Sequence, residues 1–282
     1  MIGDRKEIQA GDDSTNIQGN NVTVNQQNGM DYLQVRQVAM DVFKSNFYDL
    51  GEKVEKLVND RAEEIVNKYL KKLEEESPEA INNTEDPDVR YAIYEVQKSY
   101  ARLGDKEMGD LLVDVLMQRT MNQDESFEKL VLNEALTIIP KLTTKQIDIL
   151  SLIHIMRYLN FKPEFQIPFE HYYSFLHPFI NKRIIPKKEI FYQHLQYAGC
   201  LSISIGSSDF NNIIKHKFPH LFDKVEDVNE IVSNFKLESF RNEWDTTKLC
   251  NSSLTSVGIA IALSNINRRL GVKWDLSIWV NE

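Results

Sequence analysis

Cysteine is scarce in this chain, with only Cys200 and Cys250 among 282 residues. Neither has a second cysteine nearby in sequence, which excludes a disulfide framework and a cysteine-rich zinc site and predicts reduced thiols. Long apolar runs are missing too. The richest, 147–159, carries His154 and Arg157 and falls short of the ~20 residues that a membrane helix needs. Residues 1–27 are polar and lack the apolar core of a secretory signal, so the expected location is cytoplasmic, with no membrane span. Positive charge is in deficit: 33 Lys and Arg against 42 Asp and Glu give a net charge of -9. Bulk electrostatics therefore do not draw the whole protein to nucleic acid. There is no P-loop, no dinucleotide fingerprint after a strand and no Gly-x-Ser-x-Gly elbow, so no cofactor is expected and the reading points away from an enzyme.

What is present starts with a polar arm. Residues 9–28 set isolated apolar residues between Asn, Asp, Ser and Gly turn formers, with short alternation around Ile17 and at Val22-Thr23-Val24. This pattern suggests one or two coils of a β-solenoid, and a disordered arm is the alternative. Ile8, Ile17, Val22 and Val24 are too few for a core of their own. If the segment folds, other copies of the chain must supply the missing apolar partners. The expectation is a homo-oligomer, a trimer or higher.

From Asp31 to about Glu76 apolar residues recur every three or four positions, among them Tyr32, Val35 and Val42. The spacing predicts a helix of about 70 Å if continuous. Gly51 is the place where it would kink or divide, since glycine weakens a helix interior by about 1 kcal/mol. The stripe is read either as a core helix or as an oligomeric stalk. Residues 77–87 read as a loop and the clearest boundary, and amphipathic helices follow from Asp86, with breaks at Gly104 and Pro140. The aromatic and proline-rich stretch 161–186 reads as a small core under a loop, with a ligand pocket as the minor alternative. Helices are predicted over 189–197, 226–235 and 255–270, with another, carrying Phe210, Ile213 and Ile214, capped by Ser207 or Ser208, and a strand over 200–205. The tail 272–280 alternates and is expected to be a final strand, pairing with 200–205.

Two passages carry a resemblance. The first is Tyr100-Ala-Arg-Leu-Gly-Asp-Lys-Glu-Met-Gly-Asp-Leu-Leu-Val-Asp-Val-Leu, followed by Leu132-Asn-Glu-Ala-Leu and by the run from Pro140 to Leu150. The second is Leu195-Gln-Tyr-Ala-Gly-Cys-Leu, followed by Leu254-Thr-Ser-Val-Gly. Together they resemble the Abi-alpha group of bacterial abortive-infection proteins over most of residues 88–262. The run Gly11-Asp-Asp-Ser-Thr-Asn-Ile-Gln resembles a segment placed before several bacterial defence-type and uncharacterised proteins, and the whole chain resembles an uncharacterised bacterial family that joins both features. The sequence departs from the group at Cys200, where Leu or Ile is favoured. The matching positions are structural, so the resemblance implies a cellular role, defence against phage, and not a reaction.

Other chemistry is weaker. His216 and His220 have i, i+4 spacing, but Pro219 between them ends the helix that would align them. His171 and His177 sit among aromatics and read as packing residues. Asp105, Glu107 and Asp110 read as helix-start residues favoured by the dipole. Lys182, Arg183, Lys187 and Lys188 form the best local case for nucleic-acid contact.

The expected fold is mainly α: a multi-helical array with a short N-terminal β (solenoid-like) oligomerisation segment, a long helix and a small C-terminal winged-helix-like α+β unit. The expected division is 1–29 polar β segment, 30–77 long helix or stalk, 86–160 helical array and 161–282 C-terminal helical unit. The expected function is a non-enzymatic, homo-oligomeric phage-defence sensor or interaction protein, with itself and a phage component or partner protein as partners. The assembly residues are Ile8, Ile17, Val22, Val24, Tyr32, Val35 and Val42. The alternatives are a nucleic-acid-binding regulator and an enzyme with an unrecognised site.

Overall fold

The computed structural model describes residues 30–46, 52–122, 126–161, 166–180, 185–222 and 228–280. The chain is mainly helical, with one small two-stranded antiparallel sheet. The N-terminal β segment expected at 1–29 lies outside the described residues.

The stretch expected to kink or divide at Gly51 holds two helices, α1 (Tyr32–Asn46) and α2 (Glu52–Glu76). They run antiparallel: the Tyr32 hydroxyl reaches Asn67 at 3.3 Å, and Arg36 pairs with Glu63 and reaches Asn67 at 3.1 Å. Phe43, near the end of α1, shares an apolar cluster with Val58 and Ala62. Much of the stripe is thus buried within the chain, Ile65, Val66, Tyr69, Leu70 and Leu73 included. Residues 77–87, expected as a loop, hold a 3-10 turn (Pro78–Glu85) with Ala80 and Thr84 buried.

Asp86 then caps α3 (Pro87–Leu103), accepting from the backbone of Asp88 and Val89, with proline in the first turn. Gly104, at φ 63, ends that helix in the left-handed conformation that glycine adopts without steric cost. Asp105 caps α4 (Lys106–Met121), and Ser126 caps α5 (Phe127–Ile138). Thr143 and Gln146 form a capping box on α6 (Thr144–Arg157). The aromatic stretch, expected under a loop, is instead α7 (Phe169–Ile180), which buries Phe169, Tyr172, Leu176 and Phe179.

α8 (Glu189–Tyr197) leads into β1 (Leu201–Ile203). The chain then passes through α9 (Phe210–Lys217), α10 (Pro219–Phe222), α11 (Val228–Asn234) and α12 (Glu238–Thr246) before returning as β2 (Ser252–Leu254). α9 is capped by Asp209, not by Ser207 or Ser208. The partner of β1 is β2, in the register Leu201↔Leu254 and Ile203↔Ser252. The tail expected to pair there turns and ends in a short helix, α14 (Ser277–Val280). Its alternation reflects burial of Leu276 and Val280 against the body, with Trp274 and Trp279 partly buried alongside.

α13 (Ser256–Leu270) is the hub. Every residue from Val257 to Ile266 is buried, as in a helix surrounded by others. It packs on α4, α5 and α6. Its polar residues are matched across those contacts: Arg269 pairs with Asp148, and Asn265 Nδ2 donates to Ser151 at 2.9 Å. One apolar core runs from Val35 in α1 to Val280 in α14.

Thr255 fastens this hub to the sheet. Its backbone N–H donates to Cys200 O at 3.1 Å and its hydroxyl to Gly199 O at 2.6 Å, and it accepts from Gly258 N at 3.1 Å. Gly258 lies so close to the Cys200 carbonyl that a Cβ there would stand 1.8 Å from its oxygen. The two halves of the second resembling passage, Leu195–Leu201 and Leu254–Gly258, therefore meet in space.

Candidate functional site

Of the residues expected to drive assembly, Ile8, Ile17, Val22 and Val24 lie outside the described residues. Tyr32 is turned onto α2 through Asn67. Val35 and Val42 line a narrow apolar seam between α1 and α3, with Met30, Val38, Ala39 and Tyr94. Val35 is almost fully buried at its floor, whereas Val42 is 38% exposed at its rim. The seam holds about 20 Å³, room for little more than one water, so it is a surface groove rather than a ligand cavity. Six of the thirteen large apolar side chains exposed among the described residues lie on α1, α2 and α3: Leu33, Val42, Val54, Leu57, Tyr91 and Leu103.

Of the expected nucleic-acid contacts, Lys182 and Arg183 lie outside the described residues. Lys187 and Lys188 are exposed just before α8.

A cleft that no sequence motif marks opens between the end of α6 and α9. It measures about 560 Å³ and is lined by Met156, Arg157, Tyr158, Asn160, Ser208, Asn212, Ile213, His216 and Lys217. Three of these are basic types and none is acidic. Arg157, at the last turn of α6, donates to Ser253 Oγ at 3.0 Å and to Cys250 O at 2.8 Å. Lys217, the last residue of α9, reaches back to α6. Its ammonium donates to the Leu159 carbonyl and, at 3.0 Å, to Asn160 Oδ1. It also sits 5.9 Å over the Tyr172 ring. Both cations suit helix C-termini, where carbonyl ends carry partial negative charge. Their contacts are to neutral oxygens, however, and neither shows a carboxylate partner among the described residues. Burial therefore draws the Lys217 amine down to about 7.

Behind this cleft His154 is buried, with neither ring nitrogen given a hydrogen-bond partner among the described residues. Its ring stacks on Tyr158 at 5.7 Å and meets Trp279 edge-on at 4.9 Å. Burial, and secondarily the charge of Lys217, holds its pKa down to about 3, so the ring is neutral at physiological pH. The Tyr158 hydroxyl accepts from Leu254 N at 2.8 Å, which fixes the wall of the cleft to β2.

A larger cleft of about 810 Å³ lies between α2, α4 and residues 271–276. Lys72 pairs there with Asp114 and Glu76, and Lys273 with Glu76, while Glu128, Asp275 and Arg268 also line it. Cys200 and Cys250 are buried free thiols, and burial raises the Cys200 thiol to about 12, far from a thiolate nucleophile. α9 ends before Pro219, so His216 and His220 do not share a helix face. His220 rests on Phe218, and His171 and His177 on Phe175 and Tyr173. Asp105 caps α4, and Asp110 pairs with Lys68. Among the described residues no group of three His, Cys, Asp or Glu is placed to hold a metal, and no helix is long and apolar enough to cross a membrane.

No curated protein and no solved structure matches the chain. A family model, whose description states no activity, matches residues 29–239 and 225–280. That match spans well over half of the sequence, and the chain belongs to this family.

Proposed function

We propose that the protein is a non-enzymatic, homo-oligomeric interaction protein acting in bacterial defence against phage. The observation that carries the assembly half is the apolar seam between α1 and α3, lined by Val35, Val38, Val42 and Tyr94. Its occupant is a second copy of this chain. Met30, the first described residue, itself lines the seam. Covering exposed apolar surface returns about 25 cal/mol per Å², and the exposed side chains on α1–α3 supply such surface. The defence half is supported by the sequence resemblance of residues 88–262 and of the N-terminal run to abortive-infection and defence proteins.

Light scattering on the eluting full-length chain tests the assembly. The expected mass is a trimer or more, and Val38→Asp with Val42→Asp should lower it while helical content is kept. A full-length monomer at micromolar concentration would sink this reading. The defence role is tested by plating a broad phage panel on cells that express the protein. Reduced plating of at least one phage is expected, and unaltered plating across the panel overturns the role.

A further inference from the structure

The cleft between α6 and α9 carries an inference independent of assembly: we infer that it binds a small phosphate-bearing molecule, a phosphate ester of about nucleotide size. The first ground is charge. In a protein of net charge -9, Arg157, His216 and Lys217 converge on one cavity that, among the described residues, no carboxylate lines. The nearest acid in sequence, Asp209, is turned onto α9, accepting from Asn212 N at 2.9 Å. Buried or half-buried cations without a counter-charge are costly, and an anion in the cavity removes that cost. Burial already draws the Lys217 amine down to about 7, and a neighbouring anion returns it toward its charged form.

The second ground is the supply of donors. Arg157 spends one hydrogen bond from each terminal nitrogen and keeps N–H groups over, and Lys217 spends two of its three. Asn160 accepts from Lys217 through Oδ1, which leaves its amide NH2 to donate. Ser208 Oγ and the His216 ring line the same cavity. A lining rich in donors and, among the described residues, free of acids suits the three oxygens of a phosphoryl group, to which charge-assisted hydrogen bonds are the strong kind.

The third ground is size. About 560 Å³ far exceeds what a bare phosphate fills and falls within the ~300–1,000 Å³ of ordinary small-molecule sites. Tyr158, Met156 and Ile213 give the organic part apolar wall to rest on.

Calorimetric titration of the full-length protein with AMP, and separately with inorganic phosphate, tests the inference. Both should bind, AMP the tighter, with sodium chloride of equal ionic strength giving no heat. His216 is exposed, so His216→Glu puts a carboxylate at the cleft without touching the core and should weaken AMP binding by about tenfold or more. Lys217→Gln should weaken it at least as much, with circular dichroism confirming the fold of each variant. No binding of either probe at millimolar concentration overturns the inference, as does AMP binding that both folded variants leave unchanged. Binding of a single-stranded oligonucleotide with steep salt dependence, while AMP gives no heat, also overturns it, in favour of a nucleic-acid surface. None of these results bears on the oligomeric mass, so the assembly reading stands or falls separately.

Discussion

His154 shows what burial does to a single titratable residue when no partner comes with it. Its ring is enclosed by Tyr158 and Trp279, and neither nitrogen finds a partner among the described residues. The folded protein holds its pKa at about 3, against 6.5 for the free side chain. Above 6.5 neither the folded nor the unfolded form carries the proton. As pH falls from 6.5 toward 3 the unfolded chain takes it up and the folded one does not, so stability is lost across that window. His154→Phe removes both unpaired nitrogens at nearly equal shape. It should hold or raise stability at pH 7 by about 1 kcal/mol and flatten the decline toward pH 5. Urea unfolding at the two pH values checks this, and an unchanged slope between them would refute the assignment. Nothing in the sequence announces this histidine, because its isolation is made by Trp279, brought from the far end of the chain.

Among elements, the clasp between β1 and the start of α13 is the most constrained. Gly258→Ala drives a methyl group into the Cys200 carbonyl, which is backbone and cannot swing aside. A loss of about 2–3 kcal/mol is expected in the urea midpoint. Gly206→Ala, where the added carbon meets nothing within 4 Å, serves as the control and should change little.

The sequence makes one side of this clasp readable. Thr255 ahead of an apolar run marks a helix cap, and the alternation at 200–205 marks a strand. The other strand is Ser-Ser-Leu, too short and too polar to signal anything. α7 escaped because aromatics and an internal Pro178 hide its period, although its apolar residues do fall on one face. α2 was legible as a stripe, yet nothing in a stripe tells whether its partner is another chain or the same one. The basic cleft left no trace at all. Arg157, Ser208 and Lys217 come from segments with no shared motif, and each alone reads as a capping or surface residue.

The whole molecule is held by one core that reaches from α1 to α14 through α13. Its three tryptophans, Trp244, Trp274 and Trp279, all belong to the C-terminal part, whereas helix content is spread along the chain. Tryptophan fluorescence and far-ultraviolet circular dichroism therefore watch different regions. A shared core predicts that their denaturant transitions coincide. An early loss of helical signal, before any fluorescence change, would mean that α1–α3 unfold as a unit of their own.

The sheet has a mechanical consequence at this scale. Between β1 and β2 the chain leaves the trunk, forms α9–α12, and returns to the strand it left. The two strands join that branch to the trunk through one small pin of six residues. Phe218 and Phe235 pack the branch against Phe169, Tyr172 and Tyr173 of α7, and the side chains of Arg157 and Lys217 lash its root to the end of α6. A guest in the cleft would sit at that root, like a wedge at the base of a bough. Its arrival would be felt first at the Arg157 and Lys217 ties that it touches.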